Sequence, residues 1–401
     1  MLNEIQDYIL EIPVPETQEA SLTHFRTMYE MVDIKEWIDS DLVFDVGNFI
    51  LHKRPDLLCI AIRLNVQVNL FLRTLNKYCY DSDDVLGSVG YKIGCFALTE
   101  EKAGVLSGLQ INTEFEELPD GSYILNSCDS SKNWISQGLF AEFCILFAKN
   151  KHDKLDTRIF IIDNQNENIQ KESITMLDVN KGLDMAKLTF ENLYVPPQSL
   201  LELSLGSKKM ELLNGIFYGR YMIAEATVSG MIGYMETIER NIWPQYKKFS
   251  ELGFSQYLKQ CKDAYENYKK HLRQQRNLIL SRNDLFSVNC YKIYTVEKSL
   301  HTFVELSVLF GMKAATSKFS YNNLLLHKVA EGDTFVLRAS LINNHIKGGI
   351  KEMATKPGLS WTDLYKLSKM NNKKEKYSYV MNNLIRISDS IIEGHIPQIE
   401  C

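Results

Sequence analysis

From Asp41 to Cys79 the chain reads DLVFDVGNFILHKRPDLLCIAIRLNVQVNLFLRTLNKYC, with apolar residues recurring at intervals of three and four. That spacing predicts helices across residues 1–94. At Cys95 the period changes. Leu109, Ile111, Thr113 and Phe115 alternate with polar residues, a Leu-Pro-Asp-Gly turn follows at 118–121, and a second extended run covers 122–127. Alternation around an Asp-Gly turn predicts a β-hairpin. The apolar runs 143–148 and 158–163 lie between polar loops and predict interior strands. The segment 188–197 ends in Pro196-Pro197, which cannot continue a ladder. Beyond Lys208 the helical period returns over 209–240, 256–283, 289–312 and 333–348. The second of these would be roughly 42 Å long at about 1.5 Å per residue. Four long helices with short links predict an antiparallel four-helix bundle. The expected class is α+β, with an N-terminal helical domain (1–94), a middle β domain (95–203) and a C-terminal helical bundle (204–401).

With 45% apolar residues in 401, the chain can build sizeable cores and is not a disordered one. Its net charge of −5 argues against gripping nucleic acid by bulk charge. The N-terminus lacks the basic and apolar regions of a secretory signal, and no uncharged apolar run reaches the roughly 18 residues of a membrane span. The eight cysteines are scattered without a C-x-x-C pair, which predicts reduced, mostly buried thiols and a cytoplasmic protein. The histidines have no metal-ligand spacing, so no metal is expected, and no G-x-S-x-G nucleophile motif occurs. A basic stretch, Lys269, Lys270, His271, Arg273 and Arg276, is expected to be a solvated helix face, with attraction of an acidic partner as the alternative.

Three short strings could carry chemistry. Gly94-Cys95-Phe96-Ala97-Leu98-Thr99-Glu100 alone reads as a buried strand ending in a polar pair. Lys132-Asn133-Trp134-Ile135-Ser136-Gln137-Gly138 alone reads as a loop with one packed Trp. Glu331-Gly332-Asp333-Thr334 begins a helix that Asp333 or Thr334 could cap. Taken in order, they resemble the acyl-CoA dehydrogenase and acyl-CoA oxidase superfamily. Its members carry a Phe-Ala-(Leu/Met)-Thr-Glu strand, a Trp-Ile-(Ser/Thr)-Asn-Gly strand some 30 to 35 residues later, and a Glu-Gly-(Thr/Asp/Glu) turn near the C-terminus. Linking pieces also match: Asp120-Gly121-Ser122-Tyr123-Ile124-Leu125-Asn126, Glu191-Asn192-Leu193-Tyr194-Val195-Pro196, and Gly219-Arg220 followed by Ile223-Ala224. The resemblance covers about 90–350.

The resemblance implies an FAD-dependent flavoprotein that oxidises the α–β carbon bond of an acyl thioester, with hydride passing to flavin N5. Glu331 falls at the position of the base that takes the α-proton, and its backbone N–H at that of an oxyanion donor. Phe96, Leu98 and Thr99 fall where the family lines the isoalloxazine ring. Trp134 and Ser136 fall where it closes the opposite side, and Asp333 at a flavin-contacting Thr. The substrate would be an acyl-CoA or an acyl-carrier-protein thioester, and the assembly a homodimer or homotetramer.

Three positions depart from the family. Its phosphate-binding Ser is Val105 here. The nearest string to its Arg-x-x-Phe-Gly is Arg240-Asn241-Ile242-Trp243, several residues early. Its Gln-x-x-Gly-Gly reads Ser307-Val308-Leu309-Phe310-Gly311. These changes leave a second reading open, a non-catalytic relative serving as partner or scaffold of an active paralogue.

Overall fold

The computed structural model describes residues 1–78, 82–102, 111–153, 155–176, 181–201, 214–242, 253–311, 317–347, 366, 369, 378–379 and 382–400. It divides into two compact units, Met1–Gly219 and Arg220–Cys401.

The first unit opens with α1 (Leu2–Glu11), α2 (Gln18–Glu30), α3 (Ile34–Asp39) and α4 (Leu42–Lys53). Thr17 and Asp33 cap the second and third, accepting the Ala20 and Lys35 N–H groups at 3.1 and 2.8 Å. The apolar stripes turn inward, burying Ile5, Ile9, Phe25, Met28 and Ile50 completely. The chain then runs helically from Pro55 to Tyr78, through α5 (Leu58–Leu64), a widened π segment (Asn65–Leu72) and α6 (Arg73–Tyr78). Among the described residues this is the one helix long and apolar enough to cross a membrane, yet 89% of its most apolar window is buried inside the protein. It serves as a core helix.

The apolar spacing predicts ordinary α-helix at Asn65–Leu72, and the structure departs from it. The segment closes its turns over five residues, as in the Arg73 N–H to Val68 carbonyl bond. Three buried amides, Asn65, Gln67 and Asn69, sit in it. Gln67 reaches out of the helix, donating to the Lys92 carbonyl at 3.0 Å and accepting the Gly94 N–H at 2.8 Å. The helix therefore holds the start of the first strand. After α7 (Ser82–Val89) the sheets begin.

The strands are β1 (Gly94–Ala97), β2 (Glu114–Glu117), β3 (Tyr123–Asn126), β4 (Lys132–Ser136), β5 (Phe143–Asn150), β6 (Thr157–Asp163), β7 (Ile169–Ser173), β8 (Met185–Phe190) and β9 (Leu193–Val195). β5 is the spine of the larger sheet. It runs parallel to β1 from Gly94–Phe143 to Ala97–Leu146, parallel to β2 near its end, and antiparallel to β6. The predicted hairpin is β2–β3, turning at Gly121 with φ +81°, and β9 extends it. The smaller sheet has the order β4-β8-β7.

Two strand expectations need correction. The alternation from Leu109 predicts a longer strand; Leu109 lies outside the described residues, and the ladder begins only at Glu114. The reason is local: the N–H groups of Asn112 and Thr113 go to the Glu100 carboxylate at 2.7 and 3.0 Å. The run 158–163, expected inside, forms an edge among the described residues, where β6 pairs with β5 alone apart from one Phe160–Leu200 bridge.

Gly94 marks the closest approach of the helices to the sheet. A Cβ there would lie 2.2 Å from Phe71 Cγ. Gly94→Ala should therefore cost about 1–3 kcal/mol or more, read as a lowered urea midpoint. A neutral result would mean that Phe71 can move aside.

The second unit contains α8 (Asn214–Ile242, whose first residues belong to the preceding unit), α9 (Phe254–Ser281), α10 (Leu285–Phe310), α11 (Tyr321–Val329), α12 (Thr334–Lys347) and α13 (Leu384–Glu393). The four predicted long helices correspond to α8, α9, α10 and α12. Paired contacts show α8 and α9 running antiparallel, as Glu239 meets Lys262 and Glu225 meets Arg276, and α9 and α10 likewise. Along α9 and α10, Tyr257 meets Glu305, Tyr265 meets Ser299 and His271 meets Tyr291. α10 starts at Leu285, four residues before the apolar run suggests, because the Asp284 carboxylate caps it by accepting the Ser287 N–H at 3.0 Å.

The basic stretch on α9 is only in part what the sequence suggests. Arg276 is 2% exposed and forms a two-pronged ion pair with Glu225 of α8 at 2.9 and 2.5 Å. His271 Nε2 lies 2.8 Å from the Tyr291 hydroxyl, and burial lowers its pKa. Two of the five positions thus tie helices together instead of facing water.

Candidate functional site

In the first unit, Phe96 lies in β1 packed edge-on against Phe147, 9% exposed. The chain leaves the sheet at Leu98, which is half-buried, and Thr99, which is exposed. β4 runs beside this exit. The Asn133 N–H donates to the Thr99 carbonyl at 2.9 Å, and the next residue is Trp134. Trp134 has a left-handed backbone (φ +61°), braced by its N–H donating to Asn133 Oδ1 at 3.0 Å, and its indole is 55% exposed. Ser136 is half-buried, its hydroxyl 3.1 Å from Met185 Sδ.

What fixes this geometry is mostly invisible in the three motifs. Lys132 and Glu100 form a fully buried ion pair at 2.6 Å, joining the end of the first motif to the start of the second. Glu100 also accepts from the Thr113 hydroxyl at 2.9 Å, and Lys132 with the Thr113 and Asn112 N–H groups holds its carboxyl below the usual range despite desolvation. At the other end of β1, Gly94 is gripped twice. Its N–H goes to Gln67, and its carbonyl accepts from Gln137 Nε2 at 2.9 Å. Gln137 itself adopts φ +67°. In the sequence, Lys132 looks like an ordinary loop lysine; the signal available was a Glu following an apolar strand, which needs a cation if buried.

In the second unit, α11 ends at Val329 and α12 begins at Thr334, and the turn between them carries Glu331 and Asp333. Glu331 (φ +54°) and Gly332 (φ +102°) are both left-handed. A non-glycine residue in that region costs of order 1 kcal/mol and persists only when its surroundings enforce it. Here the surroundings are two buried cations. Arg220 Nε of α8 donates to the Glu331 carbonyl at 2.7 Å, while Arg220 Nη1 is held by Asn289 Oδ1 at 2.9 Å. Lys292 of α10 donates to the carbonyls of Ala330 and Gly332. Glu331 is half-buried as a residue, and desolvation raises its carboxyl pKa against the opposing pull of Lys292 and Arg220. Asp333 Oδ1 accepts the Phe335 N–H at 2.7 Å, so its carboxylate caps α12. The sequence offered Arg220 only as part of a helix start, and Lys292 not at all.

Of the departures from the family, Val105 and Trp243 lie outside the described residues. Arg240 Nε donates to the Glu236 carbonyl at 3.3 Å, and Ser307 Oγ to that of Phe303 at 2.7 Å.

Acyl-CoA oxidase 1 from Yarrowia lipolytica matches with a TM-score of 0.76 at 13% identity, over 98% of this chain and 74% of that one. An acyl-CoA dehydrogenase complexed with FAD from Bacillus anthracis matches with a TM-score of 0.72 at 16% identity, over 98% and 78%. This is the acyl-CoA dehydrogenase fold. In sequence, a mitochondrial isovaleryl-CoA dehydrogenase of Arabidopsis thaliana is 27% identical over 168 residues, 41% of this chain and 38% of that relative. No family model matches the sequence. Within the acyl-CoA dehydrogenase fold, the helical N-terminal part, central sheets and helical C-terminal region are thus accounted for.

Proposed function

We propose that this protein is an FAD-dependent α,β-dehydrogenase or oxidase of acyl thioesters, carried on coenzyme A or on a carrier protein. The observation that carries the reading is Glu331: a desolvated carboxyl of raised pKa on a turn whose strain two buried cations sustain. Burying such a group destabilises a fold, so its retention points to use.

The residues of the first unit suit a flat heteroaromatic cofactor. An indole that is 55% exposed on a strained backbone leaves apolar area in water that a planar ring would cover. Thr99 and Ser136 add hydroxyls, and Phe96 and Leu98 an apolar edge. These residues would hold FAD; Asp333, which caps α12, is the further position that the resemblance assigns to the cofactor. When bound, FAD supplies the acceptor for the hydride that leaves the β carbon as the α–β bond becomes double.

The chain's own part is proton control. Glu331 takes the α-proton onto its carboxylate, and its raised pKa brings it closer to the substrate's acidity than an ordinary carboxylate. The Glu331 N–H holds the thioester oxygen as negative charge develops there. Assembly as a homodimer or homotetramer in the cytoplasm belongs to the same reading.

Purified protein should be yellow, and anaerobic addition of a suitable acyl-CoA should bleach the flavin bands. Protein that stays colourless through an FAD titration, yet associates stably with a second related chain, would replace this reading by that of a non-catalytic partner.

A further inference from the structure

Three consecutive carbonyls, those of Ala330, Glu331 and Gly332, are taken by two buried cations from other helices. Arg220 is braced by Asn289, one turn from Lys292 on the same face of α10. Lys292 is fully buried and bonds both carbonyls that flank the one held by Arg220. One of its bonds has a chemical consequence. The Ala330 carbonyl and the Glu331 N–H belong to one amide. An ammonium on that carbonyl oxygen draws electron density along the amide, which makes the N–H a stronger donor.

We propose that Lys292 is a positioning residue of the reaction: its ammonium, bonded to the Ala330 and Gly332 carbonyls, sets the Glu331 turn and polarises the Glu331 N–H toward a negatively charged substrate oxygen. The inference rests on the proposed thioester chemistry. The charge is local and adjustable. Burial and the Arg220 guanidinium pull Lys292 down to about 7, while Glu331 and Asp333 pull it back up. The other titratable group facing it, His327 of α11, is pushed down to about 4 by burial and by Lys292. Its Nδ1 lies 2.8 Å from the Thr227 hydroxyl, and it stays neutral in the working range. Among these groups Lys292 is therefore the one whose cationic charge changes near neutrality.

The test uses the flavin-loaded protein and acetoacetyl-coenzyme A, a 3-oxoacyl thioester whose α C–H ionises to an ultraviolet-absorbing enolate. In the wild type, binding should favour the enolate over its population in buffer. In Lys292→Met the bound ligand should ionise about tenfold less readily. Affinity for pivaloyl-coenzyme A, which has no α C–H and so develops no negative charge on its thioester oxygen, should fall by less than that factor. A Lys292→Met curve that superposes on the wild type would overturn the role of Lys292. If Lys292→Met does not fold, as judged by circular dichroism, Lys292→Gln, which keeps an N–H donor without the charge, takes its place: weakened ionisation of the bound ligand supports the proposal and a wild-type curve ends it. Wild-type protein that leaves the ligand as it is in buffer would instead sink the thioester reading itself.

Discussion

Glu331→Gln should bind FAD with an unchanged visible spectrum and be reduced by an acyl thioester about 10²–10⁴-fold more slowly than the wild type. The amide keeps the size of the side chain and cannot accept the α-proton. Because Arg220 and Lys292 grip the turn through its carbonyls, the left-handed backbone at 331 should survive the change. Rapid-mixing absorbance under anaerobic conditions separates the two properties. The pH dependence has a definite sign. In the proposed reaction Glu331 acts in its deprotonated form, and burial raises its pKa, so the wild-type reduction rate should climb with pH through a midpoint above the ordinary carboxylate value of 4.5. The residual rate of the Gln variant should lack that rise. Bleaching at the native rate in this variant would mean that another group is the base.

Lys132→Met should be the most damaging single change to the sheets, at about 3–5 kcal/mol, because it leaves the Glu100 charge buried without its cation. Both side chains are completely inaccessible, at 2.6 Å. Urea unfolding measures the loss, and the double variant Lys132→Met/Glu100→Gln should recover part of it. Counter-ions cannot reach the pair, so added salt should change the effect little. Acid provides a second check. The folded state holds Glu100 below 4.5, so its contribution is complete above that pH and is lost as pH falls through the lowered value. The acid limb of the Lys132→Met stability curve should accordingly be shallower. Since Asn133, which bonds the Thr99 carbonyl, directly follows Lys132, the variant should also bind FAD more weakly. An unfolding midpoint equal to the wild type would show that water relaxes into the site.

The periodic elements were legible in the sequence because their causes are local. Alternation around Asp120-Gly121 announced β2–β3, and three-and-four spacing placed α8, α9, α10 and α12 within a few residues. Failures came where a distant partner decides. The strand before Glu114 was forestalled by a carboxylate from Glu100. Arg276 sits in a run of basic residues and reads as solvent-facing; only Glu225, an acid inside the apolar run of α8, hints at the buried pair. The positions singled out by motif, Phe96, Leu98, Thr99, Trp134, Ser136, Glu331 and Asp333, could be named from the sequence. The bracing done by Glu100, Lys132, Gln137 and Arg220, which stand in the same strings, and by Gln67 and Lys292, which stand in none, could not be read there. A motif records side chains that do chemistry, whereas bracing depends on which buried polar group finds which partner, and one-dimensional spacing carries little of that.

The wide coil at Asn65–Leu72 also limits how this gene can change length. Relative to an α-helix it holds a surplus residue, and losing one codon there would let a regular helix form. Such a loss would rotate everything upstream by about 100°. Arg63 would swing off the Ser21 hydroxyl, 3.0 Å away, and the Gly182 carbonyl, 3.4 Å away, whose loop leads into β8. Exchange of one side chain for another within the coil is a modest event by comparison, whereas an insertion or deletion there disturbs helices and sheet together.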